Sequence, residues 1–222
     1  DALPEVKKSF IGSGVRYDLS MAPHPDPKAE EAGNRYMREL ITNHVSGRLK
    51  VAPEHTSASV LEVMRKPSFS LFHKFKRFFD KTCRETGLRQ QLIPYFISSH
   101  PGCTAADMAE LAAATKDLNF HLEQVQDFTP TPMTLSTTIF YTGIHPYTLE
   151  PLHTPVTPAE KQEQRSFFFW YEPEQRRNII ASLRHMKRTD LIDRLYGHHP
   201  NDPHARPHAG RSRKPTRGHH KK

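Results

Sequence analysis

Four short stretches concentrate the side chains able to do chemistry. They read Gly12-Ser13-Gly14-Val15-Arg16-Tyr17-Asp18, Pro53-Glu54-His55-Thr56-Ser57, Ser98-Ser99-His100-Pro101-Gly102-Cys103-Thr104 and Thr129-Pro130-Thr131-Pro132-Met133-Thr134. Carboxylates and imidazoles such as Asp18, Glu54, His55, His100 and Asp127 can exchange protons with a substrate, and Arg16 can hold an anion. Cys103 stands at an expected helix N-terminus, where a thiol gains nucleophilic character. No stretch is diagnostic alone. Gly12-Ser13-Gly14 lacks the rest of a dinucleotide fingerprint, and no P-loop lysine follows it. Individually, Glu54 and Thr56 can be read as helix caps and His100 as a turn residue. Together the four stretches point to a site, because loops on a rigid scaffold are its usual home.

The elements around these stretches set their geometry. Ser9–Gly12, Arg48–Ala52, Leu92–Ile97 and Gln124–Phe128 have the length and the Val/Ile/Phe/Tyr content of strands. Pro94 weakens the third, since proline cannot donate to a ladder. Between them run helical patterns. Tyr36, Met37, Leu40, Ile41 and Val45 share one face, and Gly47 stops it. Leu71, Phe72, Phe75, Phe78 and Phe79 form a second stripe, read as core rather than as a platform for bases, with Gly87 as its stop. Met108, Leu111, Ala112 and Leu118 form a third, opened by Thr104 and Asp107 in a capping-box arrangement. Strand and helix alternate in units of βαβ length. The fold class is α/β, with parallel strands and helices outside, as a half-built barrel or an open sheet. Such sheets work at the carboxyl ends of their strands, where the four stretches fall.

Composition narrows the function classes. The 222-residue chain carries a net charge of +8 with 36% hydrophobic residues, few enough that part of it is not expected to pack. Cys83 and Cys103 are its two cysteines, which excludes a disulfide scaffold and a four-thiolate metal site made by this chain alone. No apolar run is long enough for a membrane helix. Sparse cysteine and the lack of an export signal point to the cytosol. The chain opens at Asp1 without a Met, which is expected of a piece of something longer. Residues 197–222 hold seven Lys/Arg against Asp202, a charge of +6, and six histidines. They read as a disordered basic tail; polyanion contact, or loose metal binding by His198, His199, His204 and His208, is the functional alternative.

The motifs resemble a known family. Gly47-Arg48-Leu49-Lys50-Val51-Ala52-Pro53-Glu54-His55-Thr56-Ser57, followed by Leu61 and Met64-Arg65-Lys66-Pro67-Ser68, resembles the fourth strand and following helix of radical SAM enzymes. Pro94-Tyr95-Phe96-Ile97-Ser98-Ser99-His100-Pro101-Gly102-Cys103-Thr104-Ala105-Ala106-Asp107-Met108 looks like the fifth strand, and Glu123-Gln124-Val125-Gln126-Asp127-Phe128-Thr129-Pro130-Thr131-Pro132 like the sixth. The wording is closest to the YgiQ-like family, from about Phe10 to about Ile192. That resemblance implies strands three to six of a partial (β/α) barrel over residues 1–135. A family-specific, mainly helical extension over 136–196 would follow, and then the tail. It also implies that the intact parent binds a [4Fe-4S] cluster and S-adenosylmethionine, cleaves the latter reductively and acts on an unknown substrate. The Cys-x3-Cys-x2-Cys cluster motif is not in this chain, so the chain alone is expected to be inactive. By motif position Glu54 would face the ribose or methionyl part, Ser98 the adenosine, and Gln126 and Phe128 the adenine.

In the extension, Thr157-Pro158-Ala159-Glu160 reads as a capped helix start leading to Phe167-Phe168-Phe169-Trp170-Tyr171. A further helix is expected from about Pro173, with Ile179, Ile180 and Leu183 on one face. The aromatic run is expected to dock onto the domain. The alternative function is a basic RNA- or polyanion-binding module that uses the basic tail and stacks bases on this run beside Arg176, Arg177, Arg184 and Lys187.

Overall fold

The computed structural model describes residues 3–197. The expected tail lies outside the described residues. Three parallel strands, β1 (Arg48–Glu54), β2 (Gln91–Ser98) and β3 (Gln124–Asp127), pair in sequential order. Each crossover is helical: α3 (Ala58–Val63) and α4 (Phe69–Thr86) join β1 to β2, and α5 (Ala105–Asp117) joins β2 to β3. Two helices precede β1, α1 (Tyr17–Met21) and α2 (Pro27–Asn43). After β3 come α6 (Leu135–Thr142), α7 (Pro158–Ser166), a 3-10 turn (Phe167–Phe169), α8 (Pro173–His185) and α9 (Thr189–Tyr196).

Local signals explain several boundaries. Gly87 ends α4 at φ 68°, a left-handed position that costs glycine nothing. Thr104 and Asp107 close a full capping box on α5, and Thr157 and Glu160 close another on α7 with Pro158 in the first turn. Pro94 lies in the central strand, which the absent N–H disfavours. The ladder accommodates it by an irregularity: Val51 pairs with Pro94, and the next partners are Glu54 and Phe96, so β1 carries one extra residue there.

The expected strand at residues 9–12 does not form. This stretch has no regular structure, and Phe10 is exposed. The Ile11 amide donates to the His44 carbonyl, the Val15 amide donates to the Lys50 carbonyl, and Val15 makes a lone parallel bridge to Val51. A segment with two glycines and one well-placed apolar residue has too little to bury to hold a strand's full ladder.

Both hydrophobic clusters lie against one face of the sheet. Leu49, Val51 and Leu92 pack into a cluster with Met37, Ile41 and the Phe72–Phe75–Phe79 stripe of α4. Phe96 and Val125 pack into a second with Met108, Leu111, Phe167, Phe168 and Leu183. That core therefore runs across residue 135 into the helices that follow. Of the alternate residues, Ile93 is buried, Lys50, Ala52, Tyr95, Ile97 and Gln124 are half-buried and Gln126 is exposed; none joins either cluster. Strand register places Tyr95 beside Gln124 and Ile97 beside Gln126 on this second face. Parallel sheets normally bury both faces, so the open one is a distinctive property of this chain.

Candidate functional site

At the carboxyl end of β1 the bulge delivers Glu54 in a left-handed conformation, φ 69°, and at the end of β2 Ser99 adopts the same state, φ 59°. Neither is glycine. Such a conformation costs a side-chain-bearing residue about 1 kcal/mol or more, and retained strain of this kind concentrates at functional sites. Each strained residue is followed by a buried histidine, His55 after Glu54 and His100 after Ser99. The backbone device thus recurs on adjacent strands.

Both imidazoles are held neutral. Burial lowers the pKa of His55 to about 4, outweighing the opposing pull of the Asp107 carboxylate. Burial also lowers His100 to about 4. Their tautomers follow from their partners. The Ser57 amide donates to His55 Nδ1 at 3.0 Å, so the proton sits on Nε2, which faces Met108 Sδ at 3.4 Å and Cys103 Sγ at 3.5 Å. His100 donates from Nδ1 to the Pro101 carbonyl at 2.8 Å, and its Nε2 accepts from the Ser136 hydroxyl at 2.8 Å.

The structure corrects the reading of Cys103 as a nucleophile. The residue is fully buried, and burial raises the pKa of its thiol, with Asp107 adding to the shift. The helix N-terminus is present, but desolvation outweighs it.

The four residues singled out for cofactor contact fall in different surroundings. Lys66 Nζ reaches Glu54 Oε1 at 3.0 Å, and Arg16, Tyr17 and Asp18 at the start of α1 line a small cleft with Ala52, Pro53 and Lys66. Arg16 pairs with Asp18 through two hydrogen bonds of 2.8 and 2.6 Å, and this holds the Asp18 carboxyl below its ordinary pKa despite burial. Ser98 is fully buried, and its hydroxyl donates to Asp127 Oδ1 at 2.6 Å. Gln126 lies on the open face. Phe128 is half-buried with its ring edge-on to His100 at 4.9 Å, and its amide donates to the Ser98 carbonyl. Sequence reasoning gave no role to Lys66 or Ser99, though both stand in its motifs. It also missed Gln164, which lies 65 residues from its partner Ser99. No local pattern marks such long-range contacts.

The aromatic run docks. Phe167 and Phe168 are fully buried and Trp170 nearly so, leaving no ring face of the two phenylalanines for bases. Among the described residues no group of three His, Cys, Asp or Glu side chains stands where it can hold a metal ion, and no helix is long and apolar enough to cross a membrane.

Comparison with known proteins now adds the family. Residues 123–221 match a family described as a domain of unknown function, DUF3362. Over 197 residues the chain is 64% identical to a UPF0313 protein of Bacteroides thetaiotaomicron, covering 89% of this chain and 32% of that protein. Over most of its length the chain is similar to proteins named UPF0313, the name of the YgiQ-like family. A UPF0313 protein of Porphyromonas gingivalis is 56% identical over 88% of this chain and 31% of its own length. One from Geobacter sulfurreducens is 43% identical over 84% of this chain and 29% of its own. The chain therefore spans about a third of the length of these UPF0313 relatives. The DUF3362 match begins at Glu123, between β2 and β3, so its boundary cuts through one hydrogen-bonded sheet.

Proposed function

We propose that this chain is the C-terminal part of a YgiQ-like radical SAM protein, and that its strands are the later strands of a partial (β/α) barrel. The observation that carries this reading is the open face of the sheet. Parallel strands in sequential order, helices on one side and strained, titratable residues at the carboxyl ends are what a barrel wall presents when its other strands are elsewhere. The UPF0313 relatives are about three times as long, so there is chain to supply them.

The [4Fe-4S] cluster does not fit this chain. Cys83 and Cys103 are both buried, one on α4 and one after β2, and two thiols cannot replace three cluster ligands. In this proposal the preceding part of the parent supplies the cluster. S-adenosylmethionine would lie against the open face and the strand ends. Glu54, oriented by Lys66, would accept hydrogen bonds from its ribose or methionyl groups. Gln126 would address the adenine from the sheet, with Phe128 closing the edge. Ser98 would act from beneath, through Asp127 and the backbone carbonyl that holds Phe128. The buried, neutral histidines would keep the strand ends dry and rigid.

The test is made on a UPF0313-length protein carrying this segment, reconstituted anaerobically with iron and sulfide. The expected result is about four iron per chain and S-adenosylmethionine binding that Glu54→Ala weakens. Absence of bound iron and sulfide would overturn the cluster assignment. An unchanged affinity in Glu54→Ala would remove Glu54 from the site.

A further inference from the structure

The loop after β2 is held from a distant part of the chain. Gln164 on α7 is almost fully buried and spends both ends of its amide on that loop. Its Oε1 accepts from the Ser99 amide at 2.8 Å, and its Nε2 donates to the Cys103 carbonyl at 2.8 Å. The amide orientation is fixed, because the reverse would set donor against donor and acceptor against acceptor. The next residue, Arg165, reaches Asp127 Oδ1 at 3.5 Å, the same oxygen that accepts from Ser98. One turn of α7 thus touches the ends of both β2 and β3.

The segment it holds is unusual. Between the two gripped backbone groups lie Ser99 and Gly102, both in positive φ (59° and 85°), and the buried His100. The Ser99 hydroxyl is buried without a hydrogen-bond partner. Left-handed serine, an unsatisfied hydroxyl and a desolvated histidine all oppose this conformation. Two charge-free hydrogen bonds inside a dry environment are a strong counterweight.

We propose that Gln164 and Arg165 are positioning residues, and that the DUF3362 region acts as a clamp setting the shape of the strand-end site. The region is then part of the site's machinery rather than an appended module. Gln164 fixes the Ser99–Cys103 loop, and Arg165 fixes Asp127, hence Ser98 and the start of the Phe128 loop. This inference deepens the cofactor reading above and rests on it for the ligand, while the clamp itself is testable in this chain.

Thiol accessibility provides the readout. Cys103 sits at the gripped end of the loop, and Cys83 on α4 belongs to the other hydrophobic cluster, so Cys83 reports global opening. The full chain is labelled with N-ethylmaleimide, with the two sites resolved by peptide mass spectrometry. In Gln164→Leu, Cys103 labelling is expected to rise about tenfold while Cys83 stays within about twofold, because a local opening exposes one site without unfolding the other. Gln164→Glu keeps the acceptor for Ser99 but sets a second acceptor against the Cys103 carbonyl, so faster Cys103 labelling than in the unmodified chain is expected. Equal acceleration of both cysteines, or no change at Cys103, would overturn the clamp. In the UPF0313-length parent, Gln164→Leu is expected to weaken S-adenosylmethionine binding about tenfold, by the same loss of preorganisation. An unchanged affinity alongside an opened Cys103 would overturn the positioning role. If the unmodified parent binds no S-adenosylmethionine while the labelling still responds, the cofactor reading fails and the clamp stands.

Discussion

His55 and His100 hold matching places on neighbouring strands. Each is a buried, neutral imidazole directly after a left-handed residue at a strand's carboxyl end. The match has consequences for stability, reactivity and folding that can be measured on the chain itself.

Acidification should weaken the fold in a defined window. Each histidine titrates near 6.5 when unfolded and near 4 when folded. The unfolded state therefore binds more protons between those values, so stability is full above about pH 6.5 and falls as pH drops toward 4. The loss is on the order of 3 kcal/mol for each histidine at most. His100→Gln should flatten the slope of Tm against pH from 7 to 4.5. An identical slope would show that His100 is not desolvated.

Ser99→Gly should stabilise the protein by about 1 kcal/mol, measured by urea unfolding. It removes a left-handed side chain and a buried unpartnered hydroxyl, and these gains exceed the added freedom of the unfolded chain. A loss of stability would mean that the Ser99 side chain makes a favourable contact.

Phe168→Ala should destabilise by about 3–5 kcal/mol, as expected for truncating a fully buried ring. A loss under about 1 kcal/mol would place the aromatic run at the surface and restore it as a stacking platform.

Thr104→Ala should cost about 1 kcal/mol through loss of the α5 capping box, in which the Asp107 amide donates to Thr104 Oγ1 at 3.3 Å and Thr104 donates to Asp107 at 2.6 Å. Thr104→Ser should be close to neutral, since it keeps the cap oxygen. Thermal unfolding of the pair separates the cap from simple side-chain burial.

The sequence by itself determined the elements whose cause is local. The phenylalanine spacing and Gly87 mark α4, the Thr104–Asp107 and Thr157–Glu160 pairs mark the starts of α5 and α7, and the apolar runs mark β1, β2 and β3. It also placed the stretches around Glu54–His55 and Ser98–His100 at strand ends. Only the tertiary structure decided what those residues are. Burial turned Cys103 from a candidate nucleophile into an inert core thiol and held both histidines neutral. Partners distant in sequence tied Ser98 to Asp127, and Gln164 to Ser99 and Cys103. The stretch at residues 9–12 failed as a strand because β-structure depends on what its faces can bury, and Phe10 is left exposed. Propensity and capping act over a few residues and can be read directly. Desolvation and long-range hydrogen bonds depend on which segments meet, and that is settled only when the chain is packed.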